Sequence, residues 1–116
     1  MKTVYVAGAI SGKEKEAAIS FHYAECSLRA LGFAVCNPIP IGDKLIKSFS
    51  DKGMGYPSWF DFMRACLPFL CKCDYIFLLS GWKESKGARW EYIISKHVLG
   101  IPCFESYEDL IEGKAT

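Results

Sequence analysis

The segment Ser85-Lys86-Gly87-Ala88-Arg89-Trp90-Glu91 sets one carboxylate just inside a helix that follows an apolar strand, the region where α/β proteins keep their reactive groups. On that helix the residues three and four positions from Glu91 are Gly87, Ala88, Ile94 and Ser95. None is basic, whereas a solvated glutamate usually keeps Lys or Arg at those spacings. The carboxylate is therefore expected to point inward along a small, apolar face. A surface glutamate that complements the helix dipole is the plainer alternative.

Two loops carry groups suited to an anion. Gly8-Ala9-Ile10-Ser11-Gly12 leaves the first strand and Ser80 to Gly87 leaves the third, and both supply small residues, backbone N–H groups and hydroxyls at a helix N-terminus. Each is either a phosphate cradle or simply a tight turn. The run from Gly8 to Lys13 is one residue short of a P-loop, and Glu14 stands where the metal-binding hydroxyl would be. No G-x-G-x-x-G occurs, and Asn37 follows the second strand in place of a ribose-binding acid. Neither ATP hydrolysis nor NAD binding is favoured.

The elements that must position these groups alternate between strand and helix. Thr3 to Ala7 reads as a buried strand, followed by a helix from about Lys15 to Leu31 with Ala17, Phe21, Ala24 and Leu28 near helical spacing, stopped by Gly32. Phe33 to Cys36 is the second strand. Asn37 to Pro57, which contains Pro38, Pro40, Gly42, Gly53 and Gly55, reads as a long irregular connection of the kind used for lids, with at most a helical turn around Lys44 to Lys47. Ser58 caps a helix whose apolar stripe is Trp59, Phe62, Met63, Cys66, Leu67 and Leu70, and Pro68 should kink it or end its regular part. A third strand from Tyr75 to Leu79, the Glu91 helix from Lys86 to about Leu99, a short strand near Ile101 to Phe104 and a helix near Tyr107 to Glu112 complete the chain. This order predicts a Rossmann-like or flavodoxin-like three-layer α/β domain over residues 1–116, with a parallel sheet of about four to five strands.

Composition narrows the function. The 116 residues are 51% apolar and 15% aromatic with a net charge of +1, which argues for one core and against disorder or a nucleic-acid partner. No apolar run reaches the length of a membrane span, and the chain opens directly on a strand, so a cytoplasmic protein with no membrane partner is expected. The six cysteines, Cys26, Cys36, Cys66, Cys71, Cys73 and Cys103, lie mostly in apolar segments and read as reduced thiols. Cys71 and Cys73 are separated by one residue and the two histidines stand alone, so neither a metal nor another cofactor is expected.

Val4-Tyr5-Val6-Ala7-Gly8-Ala9-Ile10-Ser11-Gly12, Cys73-Asp74 before an apolar strand, Ser85-x-Gly87-Ala88-x-x-Glu91 and Leu99-Gly100-Ile101-Pro102 together resemble the nucleoside 2-deoxyribosyltransferase superfamily over nearly the whole chain. Trp59, Met63-Arg64, Cys73-Asp74 and Gly81-Trp82 look closest to a short, uncharacterised branch common among phage and prophage proteins. The nearest branch of known chemistry is the 2'-deoxynucleoside 5'-monophosphate N-glycosidases. The resemblance implies that Glu91 is the nucleophile that attacks C1' of the sugar, that the Tyr5 hydroxyl helps to position it, and that Ser85, Gly87 and the Gly8 to Gly12 loop cradle a 5'-phosphate. The superfamily usually carries an aspartate eight residues before the position of Asp74, and here that residue is Cys66.

The function this implies is hydrolysis of the N-glycosidic bond of a (deoxy)nucleoside 5'-monophosphate through a glutamyl-glycosyl intermediate. Base exchange between deoxynucleosides and a non-enzymatic nucleotide-binding module are the alternatives. A homodimer or higher homo-oligomer is expected, with apolar residues such as Met54 and Tyr56 near a pocket that a neighbour completes.

Overall fold

Alternation of apolar side chains makes β1 (Thr3–Ala7) a central strand. Val4 and Val6 point to one side of the sheet and Tyr5 and Ala7 to the other, and none of them is exposed. The computed structural model describes residues 1–116. In it β1 pairs in parallel with β2 (Ala34–Cys36) on one edge and with β3 (Tyr75–Leu78) on the other, and β4 (Cys103–Phe104) pairs with β3. The result is a four-stranded parallel sheet in the order β2-β1-β3-β4.

Helices cover both faces. On one face lie α1 (Glu14–Ala30) and α5 (Tyr107–Glu112), whose Ala17, Phe21, Ala24, Leu28 and Leu110 pack against Val4, Val6, Phe77 and Phe104. On the other lie α2 (Pro38–Asp51), α3 (Trp59–Leu70) and α4 (Lys86–Ile94), which close over Tyr5, Ala7, Ile76 and Leu78. The expected three-layer α/β architecture is therefore present, and no helix is long and apolar enough to cross a membrane.

One expectation is overturned. Residues 38–51 are a helix, not part of an irregular loop. Asn37 is its N-cap and accepts from the Ile39 N–H at 3.0 Å, which places Pro38 at the first helical position and Pro40 in the first turn. Those positions have no intrahelical acceptor for an N–H, so proline costs nothing there and its fixed φ favours the helix. Gly42 lies inside α2 with the Phe62 ring of α3 against it. The irregular part shrinks to the stretch around Gly53 and Gly55, both at positive φ. Pro38 is the sole buried residue of α2, while Ile39 and Ile41 pack half-buried against the core.

The other expected elements fall within two residues of where the sequence places them, except that the Glu91 helix, expected to run to about Leu99, ends its α-helical part at Ile94. Ser58 and Asp61 form a capping box at the start of α3, and Pro68 lies in its last turn, two residues before the helix ends. Beyond α4 the backbone loosens into a single π-type turn over Ser95–Leu99, and Gly100 at φ +67° ends it.

Candidate active site

Glu91 sits in the middle of α4 on the face that meets the sheet. Ser85 caps that helix, its hydroxyl oxygen accepting from the Ala88 N–H at 3.2 Å, and this fixes the rotation that turns Glu91 inward. The side chain is 7% exposed. Directly beneath it, Tyr5 projects from β1 and its hydroxyl donates to Glu91 Oε2 at 2.5 Å, in a bond made across 86 residues of sequence. Burial pushes the Glu91 carboxyl up to about 7, against the opposing pull of the Tyr5 hydrogen bond. The Tyr5 phenol is raised well above its ordinary value, first by burial and then by the charge of Glu91. The carboxyl thus sits near the boundary between its two protonation states, with the tyrosine as a proton donor that stays protonated.

Cys66 of α3 completes the group. Its thiol lies beside the Tyr5 hydroxyl, and burial followed by the Glu91 charge raises it to about 11. It is at once a small apolar member of the core and a neighbour of the Tyr5–Glu91 pair. One turn beyond Glu91, the hydroxyl of Ser95 is fully buried without a hydrogen-bond partner. No three His, Cys, Asp or Glu side chains are grouped as a metal site would require.

The residues expected to hold phosphate separate into two places. Ser85 and Gly87 lie together at the N-terminus of α4, half-buried. A side chain at Gly87 would begin 3.6 Å from Trp59 Nε1, 3.8 Å from Met63 Sδ and 3.9 Å from Ser85 Oγ, so α3 and α4 face each other there across a small gap. Trp59, Met63 and Cys66 recur at helical spacing along α3 opposite Gly87 and Glu91. That spacing was visible in the sequence, but its partner face was not.

Gly8 to Gly12 lies on the other side of β1. Gly8 is tightly packed: a Cβ there would stand 3.1 Å from Leu79 Cβ and 3.3 Å from the Phe21 ring. Ile10 packs on the α1 core, Ser11 is exposed, and Gly12 turns at φ +77°. Ala9 lines a cavity of about 130 Å³ together with Lys13, Ser20, Ser80 and Gly81. A second cavity of about 380 Å³ adjoins it around Ser80, Gly81, Lys83, Glu84 and Glu105. The first lies where the chain leaves β1 and β3, the switch point of the sheet, and the second where it leaves β3 and β4. Neither is lined by Tyr5, Ser85, Gly87 or Glu91. The Tyr5–Glu91 pair is buried, Tyr5 completely and Glu91 to all but 7%.

A family profile described as a domain of unknown function, DUF4406, matches residues 2–103, from the first strand into the fourth. The chain belongs to the DUF4406 family. The matched span of this DUF4406 domain holds Tyr5, Cys66, Ser85 and Glu91 and leaves out α5. No curated protein matches it. Among solved structures it is similar to a 2-deoxyribosyltransferase from the psychrotolerant bacterium Bacillus psychrosaccharolyticus, at 20% identity and a TM-score of 0.52 over 87% of this chain and 69% of that one. The shared feature is the fold, a parallel sheet covered by helices on both faces.

Proposed function

We propose that this DUF4406 protein cleaves the N-glycosidic bond of a (deoxy)nucleoside 5'-monophosphate, with Glu91 as nucleophile. The observation that carries the proposal is the buried Tyr5–Glu91 hydrogen bond at 2.5 Å, set in the fold of a 2-deoxyribosyltransferase. In the ionised form Glu91 attacks C1' of the sugar as the bond to the base breaks; the base leaves with the bonding pair and takes up a proton. Water then attacks C1', releases the sugar phosphate and regenerates the carboxylate. Tyr5 holds the attacking oxygen in one orientation and, as a donor, favours the ionised carboxylate.

A nucleotide substrate is favoured by the groups around Gly87. Ser85 Oγ and the Trp59 indole nitrogen lie beside Gly87 at a half-buried gap at the N-terminus of α4, four residues before Glu91. The second reading is a nucleotide-binding module with little turnover. Its support is Cys66, a thiol where a carboxylate that assists the leaving base is expected. The same intermediate, resolved by a second base, would give base exchange.

The test is to incubate the pure protein with a panel of nucleosides and 5'-monophosphates and chromatograph for free base. Release from monophosphates, lost by several orders of magnitude in Glu91→Gln, is the expected result. Binding without release would establish the module, and near-normal turnover in Glu91→Gln would remove the nucleophile.

A further inference from the structure

Of the six cysteines, Cys66, Cys73 and Cys103 are buried and Cys36 is half-buried, which leaves Cys26 and Cys71 exposed. The two differ in their neighbours. Cys26 lies on the outer face of α1, and its Sγ is 3.5 Å from Nε2 of His22, one helical turn earlier. No imidazole hydrogen-bonds to Cys71, the C-cap residue of α3. The inner face of α1 is anchored by Ala17, Phe21, Ala24 and Leu28, so His22 and Cys26 share one side of a well-docked helix at i, i+4 spacing. Glu25, the carboxylate next to Cys26 in sequence, is engaged by Arg29 at 3.0 Å and by the Asn37 amide at 3.2 Å. Ile19 and Tyr23, seven and three residues before Cys26, lie on the same side of α1 and are 74% and 68% exposed. A thiol and a base in contact, beside an open apolar flank, suit an electrophile that carries an apolar or aromatic group.

We propose that Cys26 and His22 form a thiol-modification site at which an apolar or aromatic disulfide is exchanged onto Cys26. In the Nδ1–H tautomer of His22 the thiol donates to Nε2, and the imidazole takes that proton as the Cys26 sulfur attacks one sulfur of the disulfide. The S–S bond breaks, its electron pair leaves on the departing sulfur, and that thiolate takes up the proton from the imidazolium. The products are a mixed disulfide on Cys26 and one free thiol. One S–S bond replaces another, so no oxidant or reductant is consumed. Because α1 packs on the Val4 and Val6 side of the sheet, opposite Tyr5, the site is independent of the glycosidase reading.

The experiment uses the reduced full chain at neutral pH and dithiodipyridine, a neutral aromatic disulfide, at less than one equivalent. Release of thiopyridone is followed by absorbance, and the modified cysteine is located by peptide mass. The expected adduct is on Cys26, formed at least about tenfold faster than on Cys71, the difference a positioned base gives to one of two exposed thiols. His22→Gln should bring Cys26 down to the rate of Cys71 and leave Cys71 unchanged. Cys26→Ser should abolish the fast phase, and dithiothreitol should reverse the wild-type adduct. An Ile19→Ser, Tyr23→Ser variant should slow the aromatic reagent at Cys26 several-fold relative to cystamine, a polar disulfide, and an unchanged ratio would overturn the assignment of an apolar partner. Equal rates at Cys26 and Cys71 in the wild type, a comparison that needs no variant, would overturn the site itself. So would a Cys26 rate that His22→Gln leaves unchanged.

Discussion

Tyr5 donates its hydroxyl to Glu91 Oε2 at 2.5 Å, and Cys66 belongs to the same core cluster as Tyr5, so strand β1, helix α3 and helix α4 pack together around one buried carboxyl. The position of the Glu91 carboxylate is therefore set by three elements at once. Disturbing any one of them alters its charge state as well as its place.

Tyr5→Phe tests this arrangement. The hydroxyl is the group that lowers Glu91 against burial, so its loss moves the carboxyl above about 7. The acidic limb of the pH profile for base release should shift to higher pH, and turnover at neutral pH should fall by roughly ten- to a hundredfold, the loss of one hydrogen bond to a charged group. An unchanged limb would mean that Tyr5 does not act through Glu91.

Stability carries the same signature. The Glu91 carboxyl is raised from 4.5 to about 7, so between those values the folded protein holds a proton that the unfolded chain releases. The associated stability is fully present below pH 4.5 and is lost as the pH rises through about 7. Glu91→Gln has no such titration. Its melting temperature should exceed that of the wild type by a growing margin from about pH 5 to about pH 8, a difference on the order of a few kcal/mol. Parallel curves for the two proteins across that range would show that the carboxyl is not raised.

Ser85→Ala separates capping from substrate recognition. Loss of the cap bond to the Ala88 N–H should cost about 1 kcal/mol of stability. Binding of a nucleoside 5'-monophosphate should weaken by a further 1 to 3 kcal/mol, roughly, if the hydroxyl also donates to phosphate, whereas the free nucleoside should be unaffected. Calorimetric titration with both ligands decides it, because equal losses would make Ser85 a cap and nothing more.

Cys66→Asp asks whether the thiol limits turnover. A carboxylate at that position would stand beside the Tyr5 hydroxyl and share a buried site with Glu91, so the two acids would hold one proton between them near neutral pH. Base release should rise while the melting temperature falls by several degrees. A stable variant with no gain in release would show that Cys66 is not the deficit.

Most of the scaffold was legible because apolar spacing and caps agree: the α1 stripe, the Ser58 cap and the Gly100 stop each leave a local mark. α2 was not, because Pro38, Pro40 and Gly42 read as breakers until their positions relative to the Asn37 cap are known. The inward direction of Glu91 could be inferred from its neighbours on one helix, and the structure places it on Tyr5. The packing of Cys66 into the Tyr5 cluster and the gap between Gly87 and Trp59 depend on strand order and on helix packing, which no local spacing encodes.

The strand order also dictates a sequence of events during synthesis. β1 is made first yet lies inside the sheet, with β2 on one edge and β3 on the other. Thr3 donates its N–H to the Asp74 side chain and receives the Asp74 N–H on its carbonyl, each at 2.8 Å, across 71 residues. Once Cys36 has been added, β2 can close one side of β1, but about 40 further residues must follow before β3 can close the other, roughly 2 to 8 s of translation. Through that interval Val4 to Ala7 present an unpaired apolar edge, the surface most prone to join a second nascent chain or to require a chaperone. A fragment that ends before Tyr75 keeps that edge permanently, so the N-terminal part of this fold up to that point is expected to persist only as an aggregation-prone state.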